Sequence, residues 1–206
     1  MTQMLPPLEA IVMGGSSGAI DALDAILSVL PRTLGLPVAL ALHILPGKPS
    51  GLAGLFGGRC ALPVKEAEDK EPLVSGTVYL ASPNYHLLIE RQHHFSLSVD
   101  DPVHFSRPSI DVLFESAADA YGPGLTGVLL SGANEDGARG LERIHAAGGV
   151  TVVQAPDTAS APQMPDAALR LFRADHVLPP GKIGLLLARL ALERAGSPTP
   201  SQKDRG

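Results

Sequence analysis

Glu9-Ala10-Ile11-Val12-Met13-Gly14-Gly15-Ser16-Ser17-Gly18 is the stretch whose reading decides the fold. Its apolar run stops at two glycines, and behind them Ile20, Leu23, Ile26, Leu27 and Leu30 recur at helical spacing. That order reads strand, glycine turn, helix. A second apolar run, Val38 to Leu45, ends at Pro46-Gly47, and unbroken hydrophobicity is what a strand buried on both faces of a parallel sheet requires. Two strands around one helix make a βαβ unit. The pattern repeats downstream, with strands expected at Gly127–Leu130 and Val150–Val153. Helices are expected from about Pro108, at the first turn, through Tyr121, then over Leu141, Ile144 and Ala147, and around 165–173 and 181–195. Strands alternating with helices predict an α/β fold with a doubly wound, mainly parallel sheet. Residues from about 60 to 105 differ: Val78-Tyr79-Leu80, His86 to Ile89 and Phe95 to Val99 are short pieces between turn residues, and they read as a small antiparallel hairpin excursion.

The 206 residues, 45% hydrophobic and 18% charged, suit one domain over 1–195 followed by a polar, frayed tail at 196–206. A net charge of -5 without a basic cluster argues against a nucleic-acid partner. Cys60 is the sole cysteine, which excludes an intrachain disulfide and a cysteine-based zinc site and suits a reducing cytoplasm. Neither a signal peptide nor an apolar run of membrane-spanning length is found, so membrane insertion is not expected.

Gly14-Gly15-Ser16-Ser17-Gly18 matches G-x-S-x-G between an expected strand and helix, the setting in which a serine hydroxyl is raised above a sheet edge. Backbone N–H groups at the helix start can there stabilise an oxyanion. Taken alone, the stretch reads equally well as a glycine turn in which Ser16 or Ser17 caps the helix. A phosphate loop fits less well, because neither GxGxxG nor a GK[ST] ending is present. Among seven histidines, His43 stands near the carboxyl end of the second strand, the edge where ligands of open α/β sheets bind. A lone histidine there is by default structural; its joint occurrence with Ser16 reverses that preference. Asp136, in the loop after the Gly127–Leu130 strand, can fix the imidazole tautomer, although it or Asn134 could equally cap the next helix. A calcium loop at 132–137 is discarded because Gly132 stands where the first aspartate belongs.

The order Ser16, His43, Asp136 is not that of the α/β-hydrolases. Five segments instead resemble the catalytic domain of the chemotaxis protein-glutamate methylesterases (CheB-type): Val12 to Gly18, Leu42-His43-Ile44, Arg107 to Phe114, Leu130 to Gly137 and Gln163-Met164-Pro165. The resemblance implies a cofactor-free serine hydrolase that removes methyl esters from glutamyl side chains on the cytoplasmic helices of methyl-accepting receptors. Glutamine deamidation by the same triad and a non-catalytic chemosensory scaffold are the alternatives. It further implies Ser16 as nucleophile, His43 as base and Asp136 as orienting acid. Ser17 and Ala133 would serve as oxyanion-hole material, with Arg107 and Met164 at the substrate pocket. The family usually has Gly-Met-Gly-Asn-Asp-Gly where this chain has Gly132 to Gly137, and a histidine where Ser106 stands, changes that reshape the pocket. Many members carry a phosphoacceptor receiver domain first; none is expected before Glu9, so any control is expected from a separate regulatory partner, from expression level or from substrate localisation.

Overall fold

The computed structural model describes residues 8–43 and 51–195. Strand β1 (Ala10–Gly15) is wholly buried and leads through Gly18, in the left-handed region at φ 77°, into α1 (Ala19–Leu27). β2 (Val38–Leu42), α2 (Leu52–Gly57), β3 (Val64–Glu66) and β4 (Val78–Leu80) follow, then a hairpin of β5 (His86–Ile89) and β6 (Phe95–Ser98). The second half runs α3 (Ile110–Tyr121), β7 (Leu125–Leu129), α4 (Ala138–Ala146), β8 (Val150–Gln154), α5 (Gln163–Leu171), β9 (His176–Leu178) and α6 (Pro180–Ala195).

Seven strands form one sheet in the order β3-β4-β2-β1-β7-β8-β9, with every pairing parallel. Alternation along β1 sends Ile11 and Met13 into a layer with α1 and α6, and Ala10 and Val12 into a layer with α3, α4 and α5. Both faces are therefore covered, as the unbroken apolar runs require. The chain winds outward from β1 in one direction and returns to β7 on its other side. The loops leaving β1 and β7 thus diverge at the carboxyl edge and open a crevice between them.

Two expectations need correction. Val78-Tyr79-Leu80 belongs to the main sheet, paired parallel with Val38-Ala39-Leu40; only β5 and β6 make the antiparallel excursion. Three apolar residues carry too little periodicity to choose a partner, and the tertiary pairing decides. Pro108 is not in the helix: it follows a cis Arg107–Pro108 bond and precedes the N-cap, Ser109, whose extended backbone starts α3. Ile20 continues the helical spacing but lies 46% exposed. Ile44, Leu45 and the expected tail at 196–206 lie outside the described residues. Among the described residues, no helix is long and apolar enough to cross a membrane.

Candidate active site

Ser16 and His43 are the first residues beyond two adjacent strand ends. Gly15 pairs with Leu42 in register, and the His43 N–H donates to Gly15 O at 3.2 Å, so the two residues sit about one strand spacing, roughly 4.8 Å, apart. Ser16 N–H donates to Ser131 O at 2.9 Å, which ties the β1 loop to the β7 loop. Ser131 Oγ donates to Ser17 O at 2.7 Å and accepts from Ala161 N at 2.9 Å, holding the Ser17 peptide from behind. Ser17 and Ala133 are exposed, and neither backbone N–H has an acceptor among the described residues. The β1 loop and the β7 loop thus each carry one N–H without an acceptor among the described residues.

Asp136 is fully buried and accepts four hydrogen bonds. His43 Nε2 donates to Oδ2 at 2.7 Å, as does Ile110 N at 2.7 Å; Ser109 Oγ donates to Oδ1 at 2.8 Å and Asp111 N at 3.0 Å. The last two amides open α3, so the carboxylate sits on the positive end of that helix. Burial pushes the Asp136 carboxyl upward, but the hydrogen bond from His43 and those from Asp111 and Ile110 outweigh it, and the group lies below the ordinary aspartate value. An ionised Asp136 keeps the proton on Nε2 of His43 and leaves Nδ1 as the nitrogen free to accept one. The His43 side chain is 12% exposed, the condition for a base that works at a crevice floor.

Close packing fixes this arrangement. The Ile110 side chain occupies the place where a Cβ on Gly14 would stand, and a Cβ on Gly137 would meet Ile110 Cγ2 at 2.5 Å, with φ at 91° besides. These glycines let the start of α3 rest on the ends of β1 and the β7 loop. Asn134 Oδ1 accepts from Asp136 N at 3.2 Å and shapes the same loop. His86, buried on β5, accepts from Ser109 N through Nδ1 at 3.1 Å and meets Asp101 O through Nε2, also at 3.1 Å, so the hairpin braces the residue that braces Asp136.

Of the expected pocket residues, Arg107 spends its Nη1 on the carbonyls of Val99 and Asp100, at 2.7 and 2.9 Å. Met164 is fully buried beneath Gly132, to whose carbonyl its N–H donates at 2.9 Å. It props up the loop that carries Ala133. Sequence reasoning missed Ser109, Ser131 and His86; the available signals were the positions of Ser109 within the Arg107 to Phe114 segment and of Ser131 within the Leu130 to Gly137 segment. Ser109→Ala removes both a helix cap and a donor to Asp136. It is expected to cost about 1–2 kcal/mol in denaturant unfolding, with Ser109→Thr restoring most of it.

Asp111 is the other buried carboxylate among the described residues. Gly140 N donates to its Oδ1 at 2.7 Å, and His104 Nε2 lies 3.4 Å from Oδ2. Burial pushes its carboxyl up to about 6, against the Gly140 N–H, and the charges of Asp136 and Glu115 add to the shift. A raised carboxyl favours folding below the ordinary value of 3.8, and that contribution is lost as pH rises through about 6. Asp111→Asn should therefore gain thermal stability relative to the parent chain as pH rises from about 4 to about 7, measured as melting temperature against pH. An unchanged difference across that window contradicts the assignment. His104, Asp111 and Asp136 offer ligand atoms within 4.8 Å of one another, but the Asp136 oxygens and Oδ1 of Asp111 already receive donors that a cation would have to displace.

A family model described as CheB methylesterase matches residues 11–187. A Leptospira interrogans relative is 47% identical over 182 residues, which cover 88% of this chain and 94% of that protein. A Geobacter metallireducens protein-glutamate methylesterase/protein-glutamine glutaminase is 37% identical over 91% of this chain but only 54% of its own length, so the chain spans about half of that relative. The crystal structure of the Thermotoga maritima CheB methylesterase catalytic domain superposes with a TM-score of 0.86 at 31% identity, covering 90% of this chain and 100% of that one.

Proposed function

Because the chain belongs to the CheB methylesterase family, we propose that it hydrolyses glutamyl methyl esters on the cytoplasmic helices of chemoreceptors, releasing methanol through an acyl-enzyme. One observation carries this reading: the buried Asp136 holds His43 at 2.7 Å at a sheet edge where Ser16 is one strand spacing away. Ser16 is the nucleophile, His43 the general base and Asp136 the group that fixes the imidazole.

Ser16 Oγ attacks the ester carbonyl while Nδ1 of His43 takes its proton. The oxygen that becomes negative takes the Ser17 and Ala133 N–H groups as its donors, a role open to them because neither has another acceptor among the described residues. Collapse of the tetrahedral species breaks the bond to methanol, with the proton returning from His43. Water then attacks the glutamyl-Ser16 ester with the same base, and a glutamate carboxylate leaves. Three buried donors besides His43 hold Asp136 ionised through the cycle, so the imidazolium always has its counter-charge.

The names of relatives pair this activity with that of a protein-glutamine glutaminase, and the second reading is that the same groups release ammonia from glutamine. Methanol and ammonia are measured side by side after incubation with methylated and with glutamine-bearing receptor cytoplasmic fragments. Methanol release that depends on Ser16 supports the first reading; ammonia alone supports the second; neither product refutes both.

A further inference from the structure

Val103 and Ser106 exchange both backbone hydrogen bonds, at 3.2 and 2.9 Å, around His104 and Phe105, whose φ values are 48° and 62°. Two positive φ values in a two-residue loop are the turn geometry that asparagine and glycine occupy with ease. This chain has a histidine and an aromatic residue there instead. Phe105 is 104% exposed, so burial of the ring repays neither the strain at its own backbone nor the wetting of its surface. His104 anchors the turn beside Asp111, the residue whose N–H holds Asp136, and so fixes the ring beside the active site.

The surroundings indicate what the ring meets. Phe105 walls an open cleft of about 420 Å³ together with Asn134, Glu135, Gln163 and Arg170. Asn134 and Glu135 are the two residues between Ala133 and Asp136, so the cleft adjoins the catalytic loop directly. Arg139 and Leu171 line a second hollow that shares His104, Glu135 and Arg170 with the first. Both arginines are exposed, and neither has an ion-pair partner among the described residues. Glu135, the one carboxylate in the lining of the two hollows, is outnumbered by the two guanidinium groups, so in a chain of net charge -5 this surface beside an exposed aromatic ring is locally positive.

We propose that the His104–Phe105 turn, with Arg139 and Arg170, is a docking surface for an acidic amphipathic helix of the substrate protein, lying outside the catalytic groups. The proposal rests on the methylesterase reading and deepens it. Each hydrolysed ester leaves a glutamate, and residues three or four apart on a helix share one face. A helix that offers an ester to Ser16 can therefore lay an apolar residue on Phe105 and a carboxylate one or two turns away on the arginines.

Binding of a methylated receptor cytoplasmic fragment to the Ser16→Ala protein is measured by titration calorimetry at about 50 and about 300 mM salt. Phe105→Gly should raise Kd about tenfold or more. The same change should raise the melting temperature by roughly 2–4 °C, because glycine accepts the positive φ, a gain that a merely structural phenylalanine would not give. Arg139→Gln with Arg170→Gln should also weaken binding about tenfold and flatten its salt dependence. In the active chain these losses should appear in KM rather than kcat. Unchanged Kd in both variants overturns the proposal even if methanol release is normal. Weakened binding of a fragment that the active chain leaves methylated upholds the docking surface and refutes the esterase reading.

Discussion

Ser16→Ala is expected to lower methanol release from a methylated receptor fragment by ~10⁴ to 10⁶ in kcat while leaving unfolding free energy within about 0.5 kcal/mol of the parent chain. The two halves of that result come from different features. Ser16 Oγ makes no hydrogen bond among the described residues, so its removal strands no partner; the contacts that fix the loop, Ser16 N to Ser131 O and Ala19 N to Ser16 O, are made by the backbone and survive. The catalytic loss is large because the acyl-enzyme forms on that oxygen, and Ser131 Oγ, across the crevice, is committed to Ser17 O and to Ala161. His43→Ala should be comparably damaging, and the double variant little worse than either, since groups that act as one unit are not additive. Stopped assays of methanol with each single and double variant decide the matter. Losses that multiply, or activity persisting within about tenfold in Ser16→Ala, would remove Ser16 from the reaction.

The parts of this molecule that were legible in its sequence are those in which local pattern and tertiary role coincide. β1, the glycine turn and α1 could be read because a buried central strand must be apolar throughout and because a chain leaving it at φ 77° needs Gly18. The outer strands β3 and β9 went unread for the same reason inverted. Val64-Lys65-Glu66 and His176-Val177-Leu178 are three-residue edge strands, none of whose residues is buried, and so they carry no hydrophobic run. The site divides likewise. Ser16, His43 and Asp136 each follow an apolar strand, which is a one-dimensional signal; Ser109 reaches Asp136 across 27 positions, and its value arises only when α3 lays its amino end on the β7 loop. His86 is a further step removed, acting on Ser109 from a hairpin that is not part of the main sheet.

Asp136→Asn is expected to lose about 10⁴ in kcat and, unlike Ser16→Ala, about 1–3 kcal/mol of stability. All four groups around the carboxylate donate to it: His43 Nε2, Ser109 Oγ, Ile110 N and Asp111 N. An asparagine has one accepting oxygen and an NH₂ group that can only donate. If the NH₂ takes the Oδ2 position, it faces Ile110 N–H and forces His43 into the tautomer that presents a bare Nε2, which places the proton on Nδ1 where Ser16 needs an acceptor. If it takes the Oδ1 position, His43 is served but the NH₂ meets Asp111 N–H, leaving a buried donor of α3 unpaired. Ser109 Oγ can rotate to relieve its own contact; the amide cannot. The pH dependence separates this account from a general loosening of the fold. The Asp136 carboxyl lies below its ordinary value of 3.8, so its contribution to stability is fully present above that pH and is lost as pH falls through the lowered folded value. Melting temperatures of the two chains should therefore converge in acid and stand furthest apart near neutrality. A constant gap from about pH 7 to about pH 2 would mean that ionised Asp136 is not what the start of α3 is built to hold.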